Sequence, residues 1–296
     1  MHNRTNLKTR RELLMIGAAG AAGVMLGGLR LGAAGTDAAK KIPVGLQLYS
    51  VRGECGKDGG KNLDKVVEAV AKMGYQGVEF AGYYGRDAKP LKKLLDDNGI
   101  KCCGTHTGIG TLLGNQLKKT VEFHKTIGNK FLIVPHIGGK YTKDAAAWKA
   151  TAGLFNEIAA KLKPEGMYCG YHNHSSEFKP MEGTTPWDIF YGNTVKDVVM
   201  QIDTGNCMAG KGDPVAMLKK YPGRARTIHC KEIGAPGMGL VGEGKVDWKH
   251  VIQLGRTTAS TEWFIIEHER RGVKSLEAVE KCLINFRKIM AETPQT

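Results

Sequence analysis

Eight short apolar runs, each followed by a longer stretch of helical periodicity, constrain this 296-residue chain more than any other feature. The runs are 44–49, 77–80, 101–105, 131–135, 167–171, 198–202, 225–230 and 263–266. Between them apolar residues recur at helical spacing, as in Leu63, Val66, Val67, Val70 and in Leu91, Leu94, Leu95, with a last such segment over 276–290. Strands alternating with amphipathic helices make βα units and a parallel sheet, because parallel strands need a crossover between them. Eight units, strand first and helix last, predict an α/β fold closed into a single (β/α)8 TIM barrel; an open doubly wound sheet stops at about five or six strands. Gly74 and Gly99 mark helix ends, and Asn62 and Asp247 are candidate caps.

A barrel of this kind carries its functional side chains at the C-terminal ends of the strands and on the loops that follow. Here every run ends on polar residues: Gln47, Tyr49 and Arg52; Glu79; His106; His136; His172, His174 and Glu177; Asp203; His229 and Lys231; Glu267 and His268. One such residue is ordinarily a solvated loop group or a satisfied histidine. Polar groups at all eight ends of one edge describe a site. In the second half, Glu177, Asp203, His229 and Glu267 come one from each of strands five to eight. Three carboxylates and one imidazole suit a single hard to borderline divalent ion: Mn2+, Mg2+, Co2+ or Zn2+.

The N-terminus is set apart from the barrel. Arg10 and Arg11 precede a weakly hydrophobic stretch, 16–34, rich in Ala, Gly and Leu. This resembles a twin-arginine export signal, and its glycine density fits a removable segment better than a transmembrane helix. The expected organisation is a signal or membrane tether over 1–39 and a catalytic barrel over 40–296, with a periplasmic or envelope-associated location. The formal charge of the chain is +14, and removing the six basic and two acidic residues of 1–40 leaves +10. The lysines are scattered along helical stretches, with no aromatic-interleaved basic cluster, so nucleic acid is not expected as a partner. Seven cysteines, an odd count with Cys102 and Cys103 adjacent, are no disulfide framework; Cys169, Cys207 and Cys230 sit in apolar runs as small buried hydrophobes.

The segments LQLYSVR (46–52), YHNHSSEF (171–178), QIDTGN (201–206), IHCKE (228–232), GEGKVDW (242–248) and IIEHE (265–269) resemble, in that order, the xylose-isomerase-like sugar phosphate isomerase/epimerase superfamily. The resemblance spans essentially the whole chain after the signal. It implies a Glu-Asp-His-Glu metal tetrad on strands five to eight, and carries Asp203, His229 and Glu267 over directly. Ketose epimerases of that superfamily place the strand-five glutamate on the strand itself, where this chain has His172. Glu177 is therefore taken as the ligand from the following turn, with His172 or His174 as its substitute.

The resemblance further implies an isomerase or epimerase acting on a small sugar or keto-sugar through proton abstraction beside a carbonyl and an enediolate. Glu177 and Glu267 are the implied acid and base, and His172 or His174 the alternative base. A dehydratase or keto-glycoside lyase on the same site is the alternative reading. Glu79, His106, His136 and Lys231 are candidate substrate-binding residues; Trp187 and Trp248 are candidates for an apolar face against a sugar, or for helix packing. The Gly-rich piece at 234–248 has no phosphate-loop signature and is expected to be a long mobile loop closing over substrate, with Asp247 capping the next helix. An endonuclease IV-like nuclease and a non-catalytic sugar-binding barrel are the rival classes. Export argues against the nuclease and against phosphorylated substrates. The subunit number is not readable.

Overall fold

The structure, a computed structural model, describes residues 41–294. The expected signal over 1–39 lies outside the described residues. The described residues hold eight strands: β1 (Val44–Gln47), β2 (Gly77–Phe80), β3 (Lys101–His106), β4 (Phe131–Val134), β5 (Tyr168–His172), β6 (Val199–Asp203), β7 (Thr227–Cys230) and β8 (Trp263–Ile266). They form one closed barrel in sequence order, every pair parallel, with β1 closing on β8. Helices such as Leu63–Met73, Ala88–Asp97, Ala145–Leu162 and Ser275–Glu292 fill the crossovers and follow the last strand. The (β/α)8 barrel read from the alternation is the fold observed.

Strand residues alternate between the interior of the barrel and the helix-covered face, because successive side chains point to opposite sides. Odd and even positions therefore build two separate cores. Leu46, Val78, Leu132, Val134, Tyr171, Ile202 and Ile228 belong to the large apolar cluster between sheet and helices. Phe131, Ile133 and Val199, packed with Tyr168 and Trp263, form a distinct cluster that the strands wall off from it. Toward the C-terminal end the interior turns polar: Gln47, Glu79, His172, Gln201, Asp203 and His229 are all buried. Apolar layers thus close the barrel at one end and leave the chemistry at the other.

Caps are made where local chemistry allows. Asp247 accepts from His250 N at 3.2 Å, as expected. Asn62 does not cap its helix; its amide donates to Glu54 O at 2.9 Å. All seven cysteines are free and buried. No helix among the described residues is long and apolar enough to cross a membrane.

Candidate functional site

Asp203 ends β6 and also caps the turn Thr204–Ala209, its Oδ1 accepting from Asn206 N at 2.6 Å. That leaves Oδ2 buried with no hydrogen-bond partner among the described residues. Asn173 clamps the same residue, its Oδ1 accepting from Asp203 N at 2.8 Å and its Nδ2 donating to Asp203 O at 3.1 Å. On β7, His229 lies between two carboxylates: Nδ1 is 2.7 Å from Glu267 Oε2, and Nε2 is 2.5 Å from Glu79 Oε2. Asp203 Oδ2 is 4.0 Å from His229 Nδ1. On β5, the His172 ring centroid is 4.6 Å from that of His229, and its Nδ1 is a second buried atom without a partner. Glu267, one residue past β8, completes the group. One ligand-type atom from each of His172, Asp203, His229 and Glu267 lies within 4.8 Å of the others.

These groups set one another's charge. Burial alone pushes the His229 imidazole down, but Glu79 and Glu267 on either side outweigh it and raise it to about 10. Burial alone pushes Glu267 up, and the bond from His229 with the charge on Lys231 holds it well below the usual carboxylate range instead. Burial raises Asp203 to about 7, opposed by Lys231 and reinforced by Glu267. His172 is pushed well below the ordinary imidazole value, first by burial and then by His229 and His106. Lys231 loses charge stability to burial but regains more from Asp203, Glu267 and Glu269, so it stays cationic. Its Nζ lies 3.1 Å from Glu267 Oε1 and also bonds Glu269.

The donor set fits a divalent ion. A polar atom buried without a partner costs about 1–3 kcal/mol. Two such atoms, Asp203 Oδ2 and His172 Nδ1, fall in one four-residue cluster of carboxylate and imidazole groups. A cation held by the cluster would give a partner to Asp203 Oδ2, which lies 4.0 Å from His229 Nδ1, and oxygen with nitrogen donors is the chemistry that Mn2+, Co2+ and Zn2+ accept. A cavity of about 620 Å3 opens over the cluster, lined by Tyr49, His106, His136, His172, His174 and Glu267. A cleft of about 550 Å3 at the opposite end of the barrel is lined by lysines already paired, Lys125 with Glu165 and Lys130 with Glu262.

Not every residue expected at the site is there. Glu177 does not join the cluster. Its turn, Ser176–Phe178, folds the carboxylate back on its own segment, where Oε1 accepts from Tyr171 Oη at 3.0 Å and Oε2 from His174 N at 2.9 Å and Ser176 Oγ at 3.1 Å. His172 occupies the strand-five place instead, and Glu177 anchors the turn that carries His174. Glu79, expected among the substrate-binding residues, is fully buried and does not line the cavity. Trp187 and Trp248 are buried in helix packing, not presented to the cavity.

The 234–248 loop is pinned rather than free. Glu232 accepts from Ile233 N, Gly242 N, Lys245 N, Val246 N and Trp248 Nε1, and His268 Nε2 lies 2.8 Å from Met238 O. A Cβ on Gly244 would collide with that Glu232 carboxylate. Residues that escaped the sequence reading are Gln201, Glu232 and Glu269. Gln201 and Glu269 stand two places from Asp203 and Glu267, so strand parity puts them on the same face.

The xylose isomerase-like TIM barrel family model matches residues 67–288. An inosose dehydratase of Clostridium perfringens is 25% identical over 225 residues, 69% of this chain and 74% of that protein. Its counterpart in Clostridium beijerinckii is 22% identical over 256 residues, 73% of this chain and 85% of that protein. A sugar phosphate isomerase/epimerase from Parabacteroides distasonis superposes with a TM-score of 0.71 at 23% identity, over 84% of this chain and 97% of that one. With the model matching three quarters of the sequence, and with the closed eight-stranded barrel, the chain belongs to the xylose isomerase-like TIM barrel family.

Proposed function

We propose that this protein is a metal-dependent dehydratase of a small keto-sugar or keto-cyclitol. It removes a proton beside the ketone, and a hydroxyl then leaves from the next carbon. The observation that carries this reading is the pair of buried, unpartnered donor atoms, Asp203 Oδ2 and His172 Nδ1, on two residues of one cluster whose His172 and Glu267 line the cavity. His172, Asp203, His229 and Glu267 would hold the ion, which when bound supplies Lewis acidity to a ketone oxygen and stabilises the negative charge that develops on proton loss.

The proton acceptor is His174. It lines the cavity on the turn anchored by Glu177. Glu267 is a poorer base, because its carboxyl is held so far below the usual range that it surrenders little on staying charged. Lys231, kept cationic by three carboxylates, holds Glu267 in place, and the proton that His174 takes up returns to the departing hydroxyl, so that water leaves and the ring is neutral again. Loss of water is favoured over epimerisation by the position of Glu177: epimerisation needs an acid–base group on each face, and the second glutamate is tied up beneath His174. The curated relatives are named as dehydratases, which supports the same choice.

The isomerase or epimerase reading shares the first step and differs in the fate of the proton. Keto-cyclitols and keto-sugars should be incubated with Mn2+-loaded protein in D2O and followed by mass spectrometry and NMR. A product short of one water supports dehydration. Deuterium at the carbon beside the ketone with no water lost overturns it in favour of isomerisation. His174→Gln should keep its metal and lose about 100-fold or more in turnover.

A further inference from the structure

Glu79 is a charged residue in the barrel interior that reaches neither solvent nor the cavity, and the fold builds a place for it. The β2–β3 register shifts between Val78 and Glu79: Val78 pairs with Cys102 but Glu79 with Gly104, so Cys103 is an extra residue. A bulge of this kind re-aims the side chain opposite it. Gly104 then leaves the space the carboxylate occupies, since a Cβ there would collide with Glu79 Oε1. Two amides hold it, Gln47 Nε2 donating to Oε2 at 2.7 Å and Gln201 Nε2 to Oε1 at 2.8 Å. Both amides are oriented in turn, Gln47 Oε1 by Tyr49 N at 3.0 Å and Gln201 Oε1 by His106 Nε2 at 2.8 Å. Such a cradle fixes one thing precisely placed for use: Oε2 at 2.5 Å from His229 Nε2.

We propose that Glu79 is a positioning residue for the metal centre, acting through His229. By accepting the Nε2–H of His229 it selects the ring tautomer and leaves Nδ1 to face Glu267 Oε2 at 2.7 Å and Asp203 Oδ2 at 4.0 Å. Without an ion both ring nitrogens face a carboxylate; an ion bound at the cluster would displace one proton, and a fixed acceptor at Nε2 keeps the remaining proton there and commits Nδ1 to the ligand role. This assignment rests on the metal reading above. It also replaces a substrate-binding role for Glu79 with one exerted from beneath the site.

The test is zinc binding by calorimetry to the metal-free full chain, with 15N-histidine NMR of the zinc-loaded protein. Glu79→Leu should weaken zinc about 10–100-fold. Glu79→Gln, which retains one acceptor oxygen, should recover part of that loss. In the wild type, the His229 resonance, identified by its absence in His229→Gln, should show a protonated Nε2 and a zinc-bound Nδ1. Coordination through Nε2 overturns the proposal on the wild type alone, even if the Glu79 variants do not fold. Zinc affinity unchanged in a folded Glu79→Leu overturns it while leaving the metal reading intact. A wild type that takes up no zinc, Mn2+ or Co2+ sinks both.

Discussion

Glu232 converts a glycine-rich connection into a fixed segment, and the consequence can be measured. Its carboxylate receives five hydrogen bonds, from Ile233 N at 2.9 Å, Gly242 N at 2.9 Å, Lys245 N at 3.1 Å, Val246 N at 3.2 Å and Trp248 Nε1 at 2.7 Å. In Glu232→Ala the exposed amide of Gly242 turns to water and that of Lys245 keeps Ile233 O at 3.0 Å, both at little cost. Ile233 N, Val246 N and Trp248 Nε1 are partly buried and lose a charged acceptor, at about 1–3 kcal/mol each. The three share one carboxylate and do not add fully, so the expected loss is about 3–5 kcal/mol. Urea denaturation should show it as a lower midpoint, and limited proteolysis should cut within 234–247 in the variant while sparing the wild type. A loss under about 1 kcal/mol with no new cleavage would refute the pinned-loop account. It would return the segment to the mobile lid expected from its glycines.

Asp203→Asn keeps an oxygen for Asn206 N but removes the negative charge from the unpartnered position, so metal affinity should fall about 100-fold or more with stability nearly unchanged; equilibrium dialysis with elemental analysis checks it. His124, buried between Tyr83 Oη at 3.1 Å and Asn129 Nδ2 at 2.9 Å, is lowered by burial from an ordinary 6.5 to about 4. The fold therefore favours its neutral form, and stability that is complete above pH 6.5 should be lost as pH falls toward 4, by up to about 3 kcal/mol. Denaturation midpoints from pH 7 to pH 4 should show this slope reduced in His124→Gln; an unchanged slope would mean that other groups carry it. We also propose export by the twin-arginine route, for which replacing Arg10 and Arg11 by lysine should leave the protein in the cytoplasmic fraction of a fractionated cell.

Periodicity along the chain determined the barrel and the edge that carries function. Alternation of strand and helix has one closed solution at eight units, and a titratable residue at a strand's C-terminal end faces the same mouth wherever that strand sits in sequence. Asp203, His229 and Glu267 were legible for that reason, each being at or within a residue of a strand end. Strand parity also puts His172 inside the barrel, but choosing it over Glu177 needed the turn after β5. A short 3-10 turn decides whether a carboxylate five residues on joins the cluster or folds back on its own segment, and here it accepts from Tyr171 Oη, His174 N and Ser176 Oγ.

Tertiary structure alone decided the role of Glu79, because its partners lie 32, 122 and 150 residues away and meet only when the barrel closes. The bulge that aims it depends on how β2 and β3 pair, and register leaves no mark in either strand read separately. The loop after β7 was misread for a related reason. Glycine count reports backbone freedom, whereas a carboxylate binding backbone amides depends on no side-chain pattern, so the pinning by Glu232 becomes visible only once the chain has folded around it.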